Sequence, residues 1–108
     1  MKSELIRQKD RVPLHLRVDL AGVDAKGSPF VETTRSINVS GGGLCFESRT
    51  RLAIGGRLTL HIQLPFRLRK HFAGRSEYGV RAVICRIEPV PEQKIFRVGA
   101  RFLGEIEA

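Results

Sequence analysis

Two short runs carry most of the chemistry available to this 108-residue chain. In Arg7-Gln8-Lys9-Asp10-Arg11, two guanidinium groups flank a polar segment, and Lys9 between them adds a third cation. A guanidinium can hold a phosphate, or the O6/N7 edge of guanine, through paired hydrogen bonds. In Asn38-Val39-Ser40-Gly41-Gly42-Gly43, small donors and acceptors are followed by three residues without a Cβ, so that main-chain N–H groups can approach an anion unhindered. Each run also has a plain structural reading. Asn, Ser and Gly suit any tight connection between strands, and an arginine-rich chain repeats the first spacing at Arg97 and Arg101. The ordered pairing of the two runs describes a nucleotide site.

That pairing resembles the PilZ domain, whose motifs are RxxxR followed by Asp or Asn, x, Ser, x, x and Gly. Arg7 and Arg11 fill the first motif, and Asn38, Ser40 and Gly43 fill the second. Pro13, the Gly42-Gly43-Leu44 run and the closing Arg97-Val98-Gly99-Ala100-Arg101-Phe102 extend the resemblance over most of the chain. It implies a bacterial receptor for the second messenger cyclic di-GMP, with no catalytic residues and no cofactor beyond this ligand. By the resemblance, Arg7 and Arg11 grip the guanine edges and phosphates, and Asn38 and Ser40 hydrogen-bond the ligand. Gly41, Gly42 and Gly43 keep the floor of the site open. Lys9, Arg97 and Arg101 are secondary ligand candidates.

Positioning these residues falls to an all-β fold. Leu14, Leu16, Val18 and Leu20 alternate with His15, Arg17 and Asp19, the period of a half-buried strand. Similar runs at 30–39, 44–48, 58–64, 80–87 and 95–102, separated by turn residues, predict a six-stranded antiparallel β-barrel. Residues 1–12 form an N-terminal ligand-gripping arm, and 13–108 form a single barrel domain with at most a very short C-terminal helix. The basic stretch from Phe66 to Gly79 exceeds what a hairpin needs, and reads as a mobile loop, a continuation of the flanking strands or a surface for a downstream protein.

Composition narrows the function classes. A length of 108 residues suits one core, and no apolar run approaches the roughly 18 residues of a membrane span. The polar start Met1-Lys2-Ser3-Glu4 lacks the apolar stretch of a secretion signal, which predicts a cytoplasmic protein without membrane insertion. Fourteen arginines against five lysines, within a net charge of +8, favour anionic partners without naming one. Cys45 and Cys85 lack the spacing of a zinc or redox motif and read as free thiols packed on or near the core. His15, His61 and His71 show no metal-ligand spacing, and no hydrolase or kinase motif is present.

Two alternatives from other classes stand beside the receptor: a small basic barrel binding RNA or single-stranded DNA, and a messenger-independent PilZ-like adaptor acting through protein contacts. With six Phe, one Tyr and no Trp, most of them in apolar patterns, few stacking platforms remain for nucleic acid. The intact motifs disfavour the adaptor. Ile6, directly before the first motif, adds no further guanidinium, which predicts one ligand per chain. The self-association state, monomer or homodimer, is open at this level.

Overall fold

Strands β1 (Arg17–Val23), β2 (Pro29–Val39), β3 (Gly43–Ser48), β4 (Arg57–Gln63), β5 (Glu77–Val90) and β6 (Ile95–Glu105) form the structure. An alternating strand needs one face covered, and here the sheet covers itself. In the computed structural model, which describes residues 13–106, the six antiparallel strands close into a barrel ordered β1-β2-β3-β6-β5-β4. Val18, Leu20, Phe46, Leu58, Leu60, Ile62, Val80, Ile84 and Val98 point inward and are almost wholly buried. Full burial of each such side chain stabilises the fold by about 1.5–3 kcal/mol.

All six expected strands are present, with three boundary differences. Regular pairing begins at Arg17 rather than Leu14, although Leu14 and Leu16 still pack on the core. β5 and β6 run longer than expected because they pair with each other from Val80↔Glu105 to Val90↔Ile95. β6 thus continues through Leu103 to Glu105, and no helix follows it among the described residues.

The 66–79 stretch is mostly neither a free loop nor an extended hairpin. Phe66–Arg69 makes one helical turn (α1), Lys70–Phe72 a 3-10 turn, and β5 begins at Glu77. The reason is the mouth of the barrel. Phe72 is buried against Tyr78, ring centroids 5.2 Å apart, and Leu68 packs on the same cluster, so the connection plugs the end where β4 stops and β5 starts.

Two buried serines satisfy backbone that the strands leave unpaired, as buried polar groups require. The Ser36 hydroxyl donates to the Leu14 carbonyl and accepts from the Leu16 amide at 2.9 Å, while the Ser36 amide donates to the Leu16 carbonyl at 2.8 Å. This clamp fixes the path of the chain into β1. Ser48 donates to Glu32 at 2.7 Å at the opposite pole, where Glu32 also accepts from the Arg49 amide and the Thr50 hydroxyl.

Besides the one at Leu103 of β6, two β-bulges break the alternation, each inserting one residue that has no opposite number. On β2, Ser36 pairs with Phe46 and Asn38 with Cys45, so Ile37 is extra. On β5, Ile84 pairs with Ala100 and Arg86 with Gly99, so Cys85 is extra. The second bulge corrects the expectation for the thiols: Cys45 is buried, whereas Cys85 is exposed, turned out by the bulge.

Candidate functional site

The two bulges set the outer surface on which the predicted ligand residues lie. Ser36 and Val39 are both buried, a spacing of three that an unbroken strand could not give. The extra Ile37 swings Asn38 to the outer face while returning Val39 to the core. The Cys85 bulge does the same for Arg86 on the far side. Asn38, Cys45, Gly99 and Arg86 therefore stand in one row across β2, β3, β6 and β5. At the usual strand spacing this row is about 14 Å long.

Gly99 leaves the middle of the row low, and the Arg86 side chain lies across it. A Cβ on Gly99 would come 3.7 Å from the Arg86 guanidinium nitrogens. Arg86 is 58% exposed, and its nearest carboxylate, Glu88, is 3.6 Å away. A flat, partly exposed guanidinium over bare backbone can stack on a base or fork onto a phosphate. Sequence reasoning passed over Arg86. The signal was present: Ile84 and Ile87 break the period-two frame that Val80, Ala82 and Ile84 establish, and that slip marks the bulge that turns Arg86 outward.

At the β2–β3 turn, the Ser40 amide donates to the Gly43 carbonyl at 2.8 Å, and the buried Ser40 hydroxyl accepts from the Gly42 amide at 3.3 Å. The serine thus shapes the turn from within. The glycines divide the work. Gly42 faces open space, whereas a Cβ on Gly43 would fall 2.2 Å from the Ala100 carbonyl oxygen, so Gly43 is required for β3 to approach β6.

Arg97 and Arg101, the secondary ligand candidates of the barrel, lie on β6. Both are exposed, and the barrel has no edge there, since β6 pairs with β3 on one side and β5 on the other. Their surroundings differ. Arg97 stands in register between Glu47 and Glu88, so opposite charges flank it across both strands. Arg101 stands between Gly43 and Val83 and has no carboxylate beside it in register. It faces the glycine turn and is the better placed of the two. Arg7, Lys9 and Arg11 lie outside the described residues.

The PilZ domain family model matches residues 5–108. The chain is a PilZ domain. No curated protein matches it in sequence. Among solved structures, it is similar to the Bacillus subtilis inhibitor of motility MotI/DgrA, at 22% identity and a TM-score of 0.64, over 93% of this chain and 43% of that one. The chain thus spans less than half of that protein's length. It is also similar to the PilZ domain of CeSA from a cellulose-synthesizing bacterium, at 19% identity and a TM-score of 0.58, over 92% and 83% of the two chains. An F420 reductase superposes nearly as well, at 16% identity and a TM-score of 0.55, over 94% of this chain and 93% of that one. Barrel shape is therefore shared across functions, and only the residues of the site can argue for one.

The remaining features are accessory. Among the described residues, no group of three His, Cys, Asp or Glu side chains could hold a metal ion, and no helix is long and apolar enough to cross a membrane. His61 donates from Nδ1 to Glu77 at 2.7 Å on the outer face of β4 and β5, away from the Asn38 row.

Proposed function

We propose that this PilZ domain is a cytoplasmic receptor for cyclic di-GMP, bound on the outer surface of β2, β3, β6 and β5. The supporting observation is the row that two bulges create: Asn38 at one end, bare Gly99 in the middle, and Arg86 at the other. Asn38 and the turn from Ser40 to Gly43 supply hydrogen bonds at the β2 end. Arg86 supplies a guanidinium at the β5 end, and Arg101 reinforces the turn. Arg7 and Arg11, from the segment before Pro13, complete the grip on guanine and phosphate.

The energetics fit. A micromolar complex needs about 8 kcal/mol, and a paired arginine contact to guanine contributes about 1–3 kcal/mol in DNA readout. Ordering the arm opposes binding by about 1–2 kcal/mol per residue. The arm, Lys2 to Arg11, orders as the ligand binds, and the new surface is read by a downstream protein. Amide relaxation of these residues should slow at saturation, and unchanged dynamics would remove the switch while leaving the receptor.

Nucleic acid fits the barrel less well. Phe46, Phe72 and Tyr78 are buried, Phe30, Phe96 and Phe102 pack partly on the core, and Phe66 lies away from the Asn38 row. Few rings are therefore left for base stacking.

The test is calorimetric titration with cyclic di-GMP, beside GTP and a short single-stranded oligonucleotide, on the wild type and on Arg7→Ala/Arg11→Ala. One saturating equivalent, absent from the double variant and not reproduced by GTP, is expected. Salt-sensitive binding of the oligonucleotide with none of cyclic di-GMP would overturn the proposal.

A further inference from the structure

A second cluster of cations occupies the same pole of the barrel on another face. A groove of about 300 Å³ runs between the start of β1, the outer side of β2 and the β4–β5 connection. Its polar lining is His15, Arg17, Arg35, Gln63, Arg69 and Ser76, with no carboxylate among them. It shares no residue with the Asn38–Gly43 turn or with β6.

The arginines are arranged against their own electrostatic interest. Arg17 and Arg35 are directly paired across β1 and β2, and like charges directly opposite destabilise a sheet. Arg17 is partly compensated by Asp19 at 3.4 Å, whereas the Arg35 side chain makes no hydrogen bond or ion pair among the described residues, Glu32 and Glu47 lying in the adjoining groove without bonding it. Arg69 is held in place by its Nε, which donates to the Leu64 carbonyl at 3.1 Å and leaves both terminal nitrogens for another acceptor. His15 is likewise oriented, because its Nδ1–H donates to the Ser36 carbonyl at 3.2 Å and leaves Nε2 unengaged. Three guanidiniums converging on an open groove, two of them mutually repelling, are stabilised by an anion with several oxygens.

We propose that the groove between Arg17, Arg35 and Arg69 is a second anion site, separate from the cyclic di-GMP surface, that takes a phosphate group. Two sources share this chemistry: a soluble phosphoryl compound and the headgroup of an anionic lipid. The groove borders a segment suited to the latter. Phe66 is 84% exposed beside Arg69, and Arg67 and Lys70 next to it are exposed. An apolar ring among cations is the composition that settles at an anionic bilayer surface.

Two probes test the site at low ionic strength: sodium pyrophosphate, and phosphatidylcholine vesicles containing about a quarter phosphatidylglycerol. Side-chain Nε–H resonances of Arg17, Arg35 and Arg69 report pyrophosphate, and co-sedimentation reports vesicles. Arg35→Gln/Arg69→Gln should weaken the responding probe by about tenfold or more, the loss of two charge-assisted contacts. The charge-matched Arg51→Gln/Arg57→Gln, at the opposite pole and outside the grooves that Arg17 and Arg35 line, should leave it within about twofold. The groove variant should retain cyclic di-GMP binding, and Arg35→Gln alone should not lower Tm, since it relieves a repulsion. Saturable pyrophosphate shifts without sedimentation identify a soluble ligand, and sedimentation lost in Phe66→Ala identifies the lipid. The proposal is overturned if neither probe responds at these arginines, or if the opposite-pole variant weakens binding equally.

Discussion

The β1–β4–β5 face and the β3–β6–β5 face of the barrel treat their charges differently. On the first, Asp19 accepts from Thr33 at 2.7 Å beside Arg17, and Glu77 accepts from Gln63 at 3.0 Å and from His61 at 2.7 Å. These hydrogen bonds, with Arg17 and His61 alongside, hold both carboxyls below their ordinary range. Both carboxylates there are answered by neighbours. On the second face, Arg86 crosses a bare glycine and Arg101 faces a glycine turn. Self-answering charge maintains the barrel, whereas guanidiniums set against glycine leave their donors for something else.

The sharpest way to break this contrast is to remove both ends of the ligand row. Asn38→Ala/Arg86→Ala should weaken cyclic di-GMP by well over tenfold in calorimetry, since each contact to a base or phosphate contributes about 1–3 kcal/mol. His61→Ala/Gln63→Ala should leave affinity unchanged. Equal losses in the two double variants would show that the faces do not differ in function.

Next in size, Gly43→Ala drives a Cβ into the β6 backbone and should cost about 1–3 kcal/mol, read by urea denaturation. Gly42→Ala, which meets open space, should leave stability within about 0.5 kcal/mol. A smaller effect is expected at Gly99→Ala, where the new methyl makes ordinary contact with Arg86. Stability should hold while affinity falls a few-fold because the floor is raised.

The smallest effect concerns pH. Because the folded state depresses the Glu77 carboxyl, its stabilising contribution is present above the usual glutamate range, about pH 4–5, and is lost as the pH falls through the depressed folded value. Glu77→Gln should therefore flatten the acid limb of the Tm–pH curve slightly. An acid limb identical to wild type would mean that this network is only a solvated surface pair.

The strands were legible because alternation records burial directly: Leu58, Leu60 and Ile62 have to face the same way wherever their partners lie. The turn at Ser40–Gly43 was legible because glycine runs have few other uses. The bulges were not, since an extra residue is defined only against the strand it fails to pair with. Ile37 and Cys85 thus hid the orientation of Asn38 and Arg86, and with it half of the candidate surface. The fate of the 66–79 stretch was also hidden, because its helical turn is set by the barrel mouth that Leu68 and Phe72 fill rather than by its own periodicity.

Closure of the six strands has a further consequence. A sheet with a free margin can recruit a partner by backbone alone, adding a strand whatever its sequence. A ring in which every strand has a neighbour on each side shortens that margin to stretches such as the end of β5 beyond Ile84, which pairs with β6 alone among the described residues. Recognition on this domain therefore falls mainly to outward side chains and to turns such as Ser40–Gly43, so its specificity can be rewritten one surface residue at a time without disturbing the hydrogen-bonded hoop beneath.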